Sequence, residues 1–76
     1  MSAKAFVLIE AAPAQAGKIA DNLREISGIC SIDAVTGPYD IIAVVERDTL
    51  AGIGDFITSK IQAAEGITRT VTCLVL

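Results

Sequence analysis

The sequence predicts an α+β domain built from two β-α-β units around a four-stranded antiparallel sheet. Three observations predict it. Apolar runs of strand length alternate with segments of helical periodicity in the order β-α-β-β-α-β. The two halves echo each other: each has an apolar run ending in Glu (Glu10, Glu46), a helical stretch, a Gly-Ile pair (Gly28-Ile29, Gly66-Ile67), then a run containing Val-Thr (Val35-Thr36, Val71-Thr72). Finally, 76 residues leave room for one core only, so residues 1–76 are read as a single domain. This is the split βαβ, ferredoxin-like plan, in which the first and third strands are central.

Each element has its own signal. Residues 5–9 are unbroken and apolar between Lys4 and Glu10, as in a buried strand. Pro13 suits a first helical position. Ala16, Ile19, Ala20, Leu23 and Ile26 follow at helical spacing, and Gly28 is expected as a left-handed cap. Residues 29–36 form the second strand, with Cys30, Ile32, Ala34 and Thr36 assigned to one face. Gly37-Pro38-Tyr39-Asp40 is a turn signal, and residues 41–45 are a fully apolar third strand. Asp48 or Thr49 caps the second helix, whose buried stripe is read as Leu50, Ile53, Ile57, Ile61 and Ala64. Gly52 and Gly54 interrupt that stripe at a cost of about 1 kcal/mol each. Gly66 closes the helix, and residues 68–76 are the last strand.

The pattern also carries a consequence beyond the fold. Two helices cover only one face of the sheet, and a sheet with one wet face alternates apolar and polar residues. The central strands do not. Ala5, Val7 and Ile9 oppose Phe6 and Leu8, and Ile41, Ala43 and Val45 oppose Ile42 and Val44. Each large aliphatic side chain kept from water contributes roughly 1.5–3 kcal/mol. A second copy packed sheet to sheet is therefore expected, in a dimeric α/β barrel-like arrangement. The composition agrees, since 53% of the chain is hydrophobic with only three aromatic residues.

Several functions are excluded by what the chain holds. Net charge is −3 and Lys plus Arg total six, without a cluster to track a phosphate backbone, so no direct nucleic-acid contact is expected. No apolar run is long enough to span a membrane and no signal peptide is evident, which makes a cytoplasmic location the expectation. The absence of His removes histidine bases and most zinc sites. The third strand has no aromatic residue to stack RNA bases. No CxxC follows the first strand, nor does a basic cradle for acyl phosphates. No catalytic pair, metal site or cofactor is expected. Glu10 and Glu46 end the two central strands; if near each other they could be paired, but solvated strand-end carboxylates explain them. Cys30 and Cys73 fall on opposite edge strands, about 14 Å apart at ordinary strand spacing, too far to bridge.

The turn 37–40 is the most informative segment, since a purely structural hairpin favours Asn-Gly or Asp-Gly. One reading is a Gly-Pro turn with Tyr39 packed on an edge and Asp40 satisfying backbone N–H groups. The other is a small-ligand pocket in which Gly37 permits close approach, Tyr39 forms a wall and Asp40 faces a cation.

Val35-Thr36-Gly37-Pro38-Tyr39-Asp40-Ile41-Ile42-Ala43-Val44-Val45-Glu46 resembles the hairpin of the Lrp/AsnC family effector domain, the regulation-of-amino-acid-metabolism (RAM) module. The opening Lys4-Ala5-Phe6-Val7-Leu8-Ile9 and the closing stretch from Gly66 to Leu76 resemble it too. The resemblance implies a non-enzymatic amino-acid effector domain, here without the family's usual DNA-binding domain. It implies homodimers that assemble into octamers or decamers, and an amino acid held between dimers. Carried over, the ligand-binding candidates are Gly37, Tyr39 and Asp40 with Thr70 and Thr72, whose hydroxyls face one side of an edge strand. Any effect on transcription would be indirect, through a full-length Lrp/AsnC regulator as partner. An ACT-like regulatory domain is the rival, disfavoured because Glu10-Ala11-Ala12-Pro13 lacks its Gly-rich loop. A dimeric barrel enzyme is disfavoured by the absence of His and Trp. A ligand-free structural oligomer is the third alternative.

Overall fold

The computed structural model describes residues 2–76. Along the chain lie β1 (Ala3–Ala11), α1 (Ala16–Arg24), β2 (Ile29–Ala34), β3 (Ile41–Arg47), α2 (Leu50–Phe56), which runs on into one π turn (Ile57–Ile61), and β4 (Ile67–Leu74). The sheet order is β2-β3-β1-β4 with every neighbouring pair antiparallel. This is the ferredoxin-like arrangement, with the two uninterrupted apolar runs at its centre.

Both helices pack on one face. Ala5, Val7 and Ile9 of β1 and Ile41, Ala43 and Val45 of β3 are completely buried there, against Ile19, Ala20 and Leu23 of α1 and Ile53, Phe56, Ile57 and Ile61 of the second helical segment. No polar side chain is buried among the described residues. The opposite face carries Phe6, Leu8, Ile42, Val44, Val71 and Cys73 in cross-strand register. Phe6 is 40% exposed, and no described segment of the chain crosses this face. Lys4 and Glu46 are opposite each other across β1 and β3 at one end of it, with the Lys4 ammonium 5.6 Å from the Phe6 ring centre.

Several local expectations are corrected. Pro13 does not start α1. It lies in a turn in which Ala14 has φ 63° and the Gln15 N–H donates to the Ala12 carbonyl at 3.0 Å. The helix is delayed because the Ala12 N–H is held by the Gly66 carbonyl at 2.8 Å. Gly28 does take the left-handed conformation, with φ 101°. In β2, the register shifts between Ile29 and Ser31. Cys30 is thereby displaced to the open face, where its Sγ lies 3.6 Å from Glu46 Oε2, while Ile29 and Ile32 face the core. Such a bulge reverses the side-chain alternation for the residues before it. Glu10 and Glu46 lie at opposite ends of the sheet, because β1 and β3 are antiparallel. Thr49, rather than Asp48, caps α2, accepting from the Gly52 N–H at 3.0 Å. Leu50 is 62% exposed and Phe56 takes the core position instead. Cys30 and Cys73 are unbridged on opposite edges.

Candidate functional site

The turn between β2 and β3 is shaped by two residues. Gly37 has φ 110°, and a Cβ there would meet nothing within 4 Å. Conformation, not crowding, therefore requires glycine. Asp40 is half-buried and makes three hydrogen bonds. Its carbonyl accepts from the Val35 N–H at 2.8 Å, and its N–H donates to the Ile9 carbonyl at 2.9 Å. Its Oδ2 accepts from the Ala11 N–H at 2.8 Å. The last bond has a local cause. The β1–β4 register shifts between Glu10 and Ala11, and the Asp40 carboxylate takes the amide where the ladder is irregular. Tyr39 is half-buried beside it.

The two threonines stand on β4. Thr70 is opposite Ile9 and Thr72 opposite Val7, so both share the helix-side face with the core residues of β1. Thr70 is half-buried and its Oγ1 accepts from Gln62 Nε2 at 3.1 Å. Thr72 opens into a cleft of about 340 Å³ between α2 and β4, whose walls include Leu50, Ile57 and Leu74. A more polar groove of about 430 Å³ runs between α1 and the turn before β4, bordered by Gln15, Lys18, Asn22 and Glu65.

The structure therefore gathers the predicted site residues into two groups, not one. Gly37, Tyr39 and Asp40 form one group and Thr70 and Thr72 the other. Ile41 and Thr70 both align with Ile9, one on each side. The groups are thus separated by β1, about 10 Å across two strand spacings. The clefts along β4 and beside α1 take in no residue of the hairpin.

Sequence reasoning did not find Gln62, which touches Thr70 from the end of the second helical segment. The only signal was its position one residue after Ile61 in an apolar stripe, and α-helical spacing gives no warning of a π turn. No grouping of His, Cys, Asp or Glu among the described residues suits a metal ion. No described helix is long and apolar enough to cross a membrane.

A ferredoxin-like sheet with one helical layer, one open apolar face and polar groups at a hairpin and an edge strand defines a small α+β domain. The chain belongs to the Lrp/AsnC family: the family model for the Lrp/AsnC ligand binding domain matches residues 4–76. Among solved structures it is similar to FFRP-DM1, with 31% identity over 97% of this chain and 99% of that one and a TM-score of 0.91. It is equally similar to the protein TTHA0845 of Thermus thermophilus, at 31% identity over 97% of this chain and 92% of that one, with a TM-score of 0.90. A transcriptional regulator of Neisseria meningitidis, solved as a complex with L-Met, shares the fold at 20% identity and a TM-score of 0.86. The match covers 97% of this chain and 49% of that regulator, so the chain spans about half its length. Comparison with curated proteins returns no match.

Proposed function

We propose that this domain is a non-catalytic effector module that binds a free amino acid and thereby sets how copies of the chain assemble. The observation that carries the reading is the division of the candidate residues. Gly37, Tyr39 and Asp40 are separated by β1 from Thr70 and Thr72. A site using both groups is completed when the hairpin of one copy meets β4 of another. A ligand bound between copies favours the assembly that completes its site.

The rest of the reading is supported more broadly. The open face of Phe6, Leu8, Ile42, Val44 and Val71 suits sheet-to-sheet pairing into a dimer. Dimers then associate into octamers or decamers, with the amino acid at the dimer–dimer contacts. The L-Met complex of the Neisseria regulator supports an amino acid as the ligand class. Transcription is affected indirectly, by co-assembly with a full-length Lrp/AsnC regulator in the cytoplasm.

Native mass spectrometry with and without each of the twenty amino acids tests the reading. The expected result is a multiple of dimers that gains one ligand mass per interdimer site. A monomer, or an assembly that takes up no amino acid, would overturn it.

A further inference from the structure

The strand register lays out the open face of the sheet row by row. One row holds Cys73, Phe6, Val44 and Ser31, with Cys30 displaced beside Ser31 by the β2 bulge. The next row holds Val71, Leu8, Ile42 and Asp33. Lys4 and Glu46 close the band at one end, and Glu10 and Arg69 at the other. Charge is therefore confined to the rim, and the two exposed thiols stand at opposite edges of a single row.

The rim charges are not paired with one another. The ion pair found among the described residues joins Arg24 to Asp21 on the first helix. Lys4 lies over the Phe6 ring, although Glu46 is its neighbour across the strands. Glu46 accepts only from uncharged groups, Ser2 Oγ at 3.3 Å and Cys30 Sγ at 3.6 Å. Charges bordering an apolar face set orientation and partner choice more than raw affinity.

A second copy covers this face about a two-fold axis lying between the two sheets. Aligned stacking leaves two directions for that axis. An axis across the strands sets β1 on β1 and β3 on β3, each reversed end to end. Lys4 then meets the partner's Glu10, but Glu46 meets the Asp40 end of β3, a like charge, and Arg69 meets the apolar end of β4. An axis along the strands, between β1 and β3, sets each row on itself in reverse order. Lys4 and Glu46 then form an alternating square with the same two residues of the partner. Arg69 lies toward the β2 edge that carries Asp33. Glu10 comes toward the partner's Asp40, but Glu10 has Arg69 opposite it and the Asp40 carboxylate is held by the Ala11 N–H. Each edge strand also comes beside the partner's other edge strand, which protects both. We propose that two copies stack about an axis along their strands, with Lys4 of each facing the partner's Glu46 and Cys73 of each facing the partner's Cys30. The proposal rests on the sheet-to-sheet pairing above and adds the orientation and the residues that select it.

Cross-linking of the whole chain tests it, with a bis-maleimide whose reach matches the spacing of stacked sheets, about 10 Å. Wild type is expected to give covalent dimers by denaturing mass spectrometry. Cys30→Ser alone and Cys73→Ser alone should give none. An equal mixture of the two, one of them isotopically labelled, should give dimers that each hold one copy of each variant. Charge reversal reads the same arrangement independently. Lys4→Glu makes the four facing groups all negative, and Glu46→Lys makes them all positive. Each should weaken the dimer about ten-fold or more by analytical ultracentrifugation, as like charges across an interface do. Mixing the two variants, or combining both changes in one chain, should restore it. All four positions are exposed, and circular dichroism verifies that each variant is folded. A wild type that stays monomeric would remove the sheet-to-sheet pairing itself. A wild-type dimer overturns the orientation alone if either cysteine variant cross-links by itself, if the mixture does not, or if charge reversal leaves pairing unchanged.

Discussion

Asp40 shows how one residue can tie a hairpin to a neighbouring strand. Its backbone closes the hairpin on Val35 and Ile9, and its Oδ2 accepts the Ala11 amide. A carboxylate bonded to a half-buried N–H is worth more than a neutral acceptor, and removing it strands the donor. Asp40→Ala should therefore destabilise the domain by about 1–3 kcal/mol in urea denaturation. An unchanged midpoint would leave the carboxylate to the ligand alone. The glycines make a second contrast. Gly37 and Gly28 both have positive φ, but a Cβ on Gly28 would lie 2.9 Å from Arg47 Nη1 and 3.0 Å from the Phe56 ring. Arg47 is itself stacked on that ring, 4.3 Å from its centre. Gly37→Ala should cost about 1–2 kcal/mol from conformation alone. Gly28→Ala should cost more, because the stacked pair must also move. Thermal melts of the two variants, side by side, check the order.

At the scale of the element, the second helical segment is the informative one. Its two glycines looked equivalent in sequence, each a penalty within a helix. They are not equivalent in place. A Cβ on Gly52 would lie 3.2 Å from Thr49 Oγ1 and 3.4 Å from Arg47 Cβ, whereas one on Gly54 would meet nothing within 4 Å. Gly54→Ala is expected to stabilise the domain by about 0.5–1 kcal/mol, and Gly52→Ala to bring no such gain. Thr49→Ala should cost about 1 kcal/mol through the lost cap. Urea midpoints for the three variants separate these effects. The apolar stripe located this helix and its buried Ile53, Ile57 and Ile61, but not its ends or its repeat: Leu50 is exposed, Phe56 is buried, and a π turn follows. Periodicity reports that a face is apolar. It does not report where the helical repeat gains a residue, because that depends on how Ile57 and Ile61 seat against the sheet. β2 makes the same point, since its bulge moved Cys30 to the open face with no sign in the alternation.

For the whole molecule, the decisive feature is a sheet whose two faces are both apolar while only one is covered. The two faces should respond oppositely to a charge. Val7→Asp places a carboxylate in a fully buried position and is expected to prevent folding, since an unpaired buried charge costs several kcal/mol. Phe6→Asp lies next to it in sequence but on the open face. It should leave a folded domain by circular dichroism and convert the assembly to monomers by analytical ultracentrifugation. A Phe6→Asp variant that keeps the wild-type mass would remove the sheet-to-sheet dimer.

The sequence by itself determined the element order, the central place of β1 and β3, the helix-side core and the apolar character of the second face. Those follow from local rules: side chains alternate along strands, repeat every few residues along helices, and turn at Gly and Pro. It also singled out Gly37, Tyr39, Asp40, Thr70 and Thr72 as candidates. Only the tertiary structure decided that these five fall in two groups on either side of β1, that Asp40 is tied to Ala11, and that Gln62 reaches Thr70. Contacts between residues far apart in the chain depend on register, and one bulge or one π turn resets register. A linear pattern does not record that shift until the sheet and the helices are packed against each other.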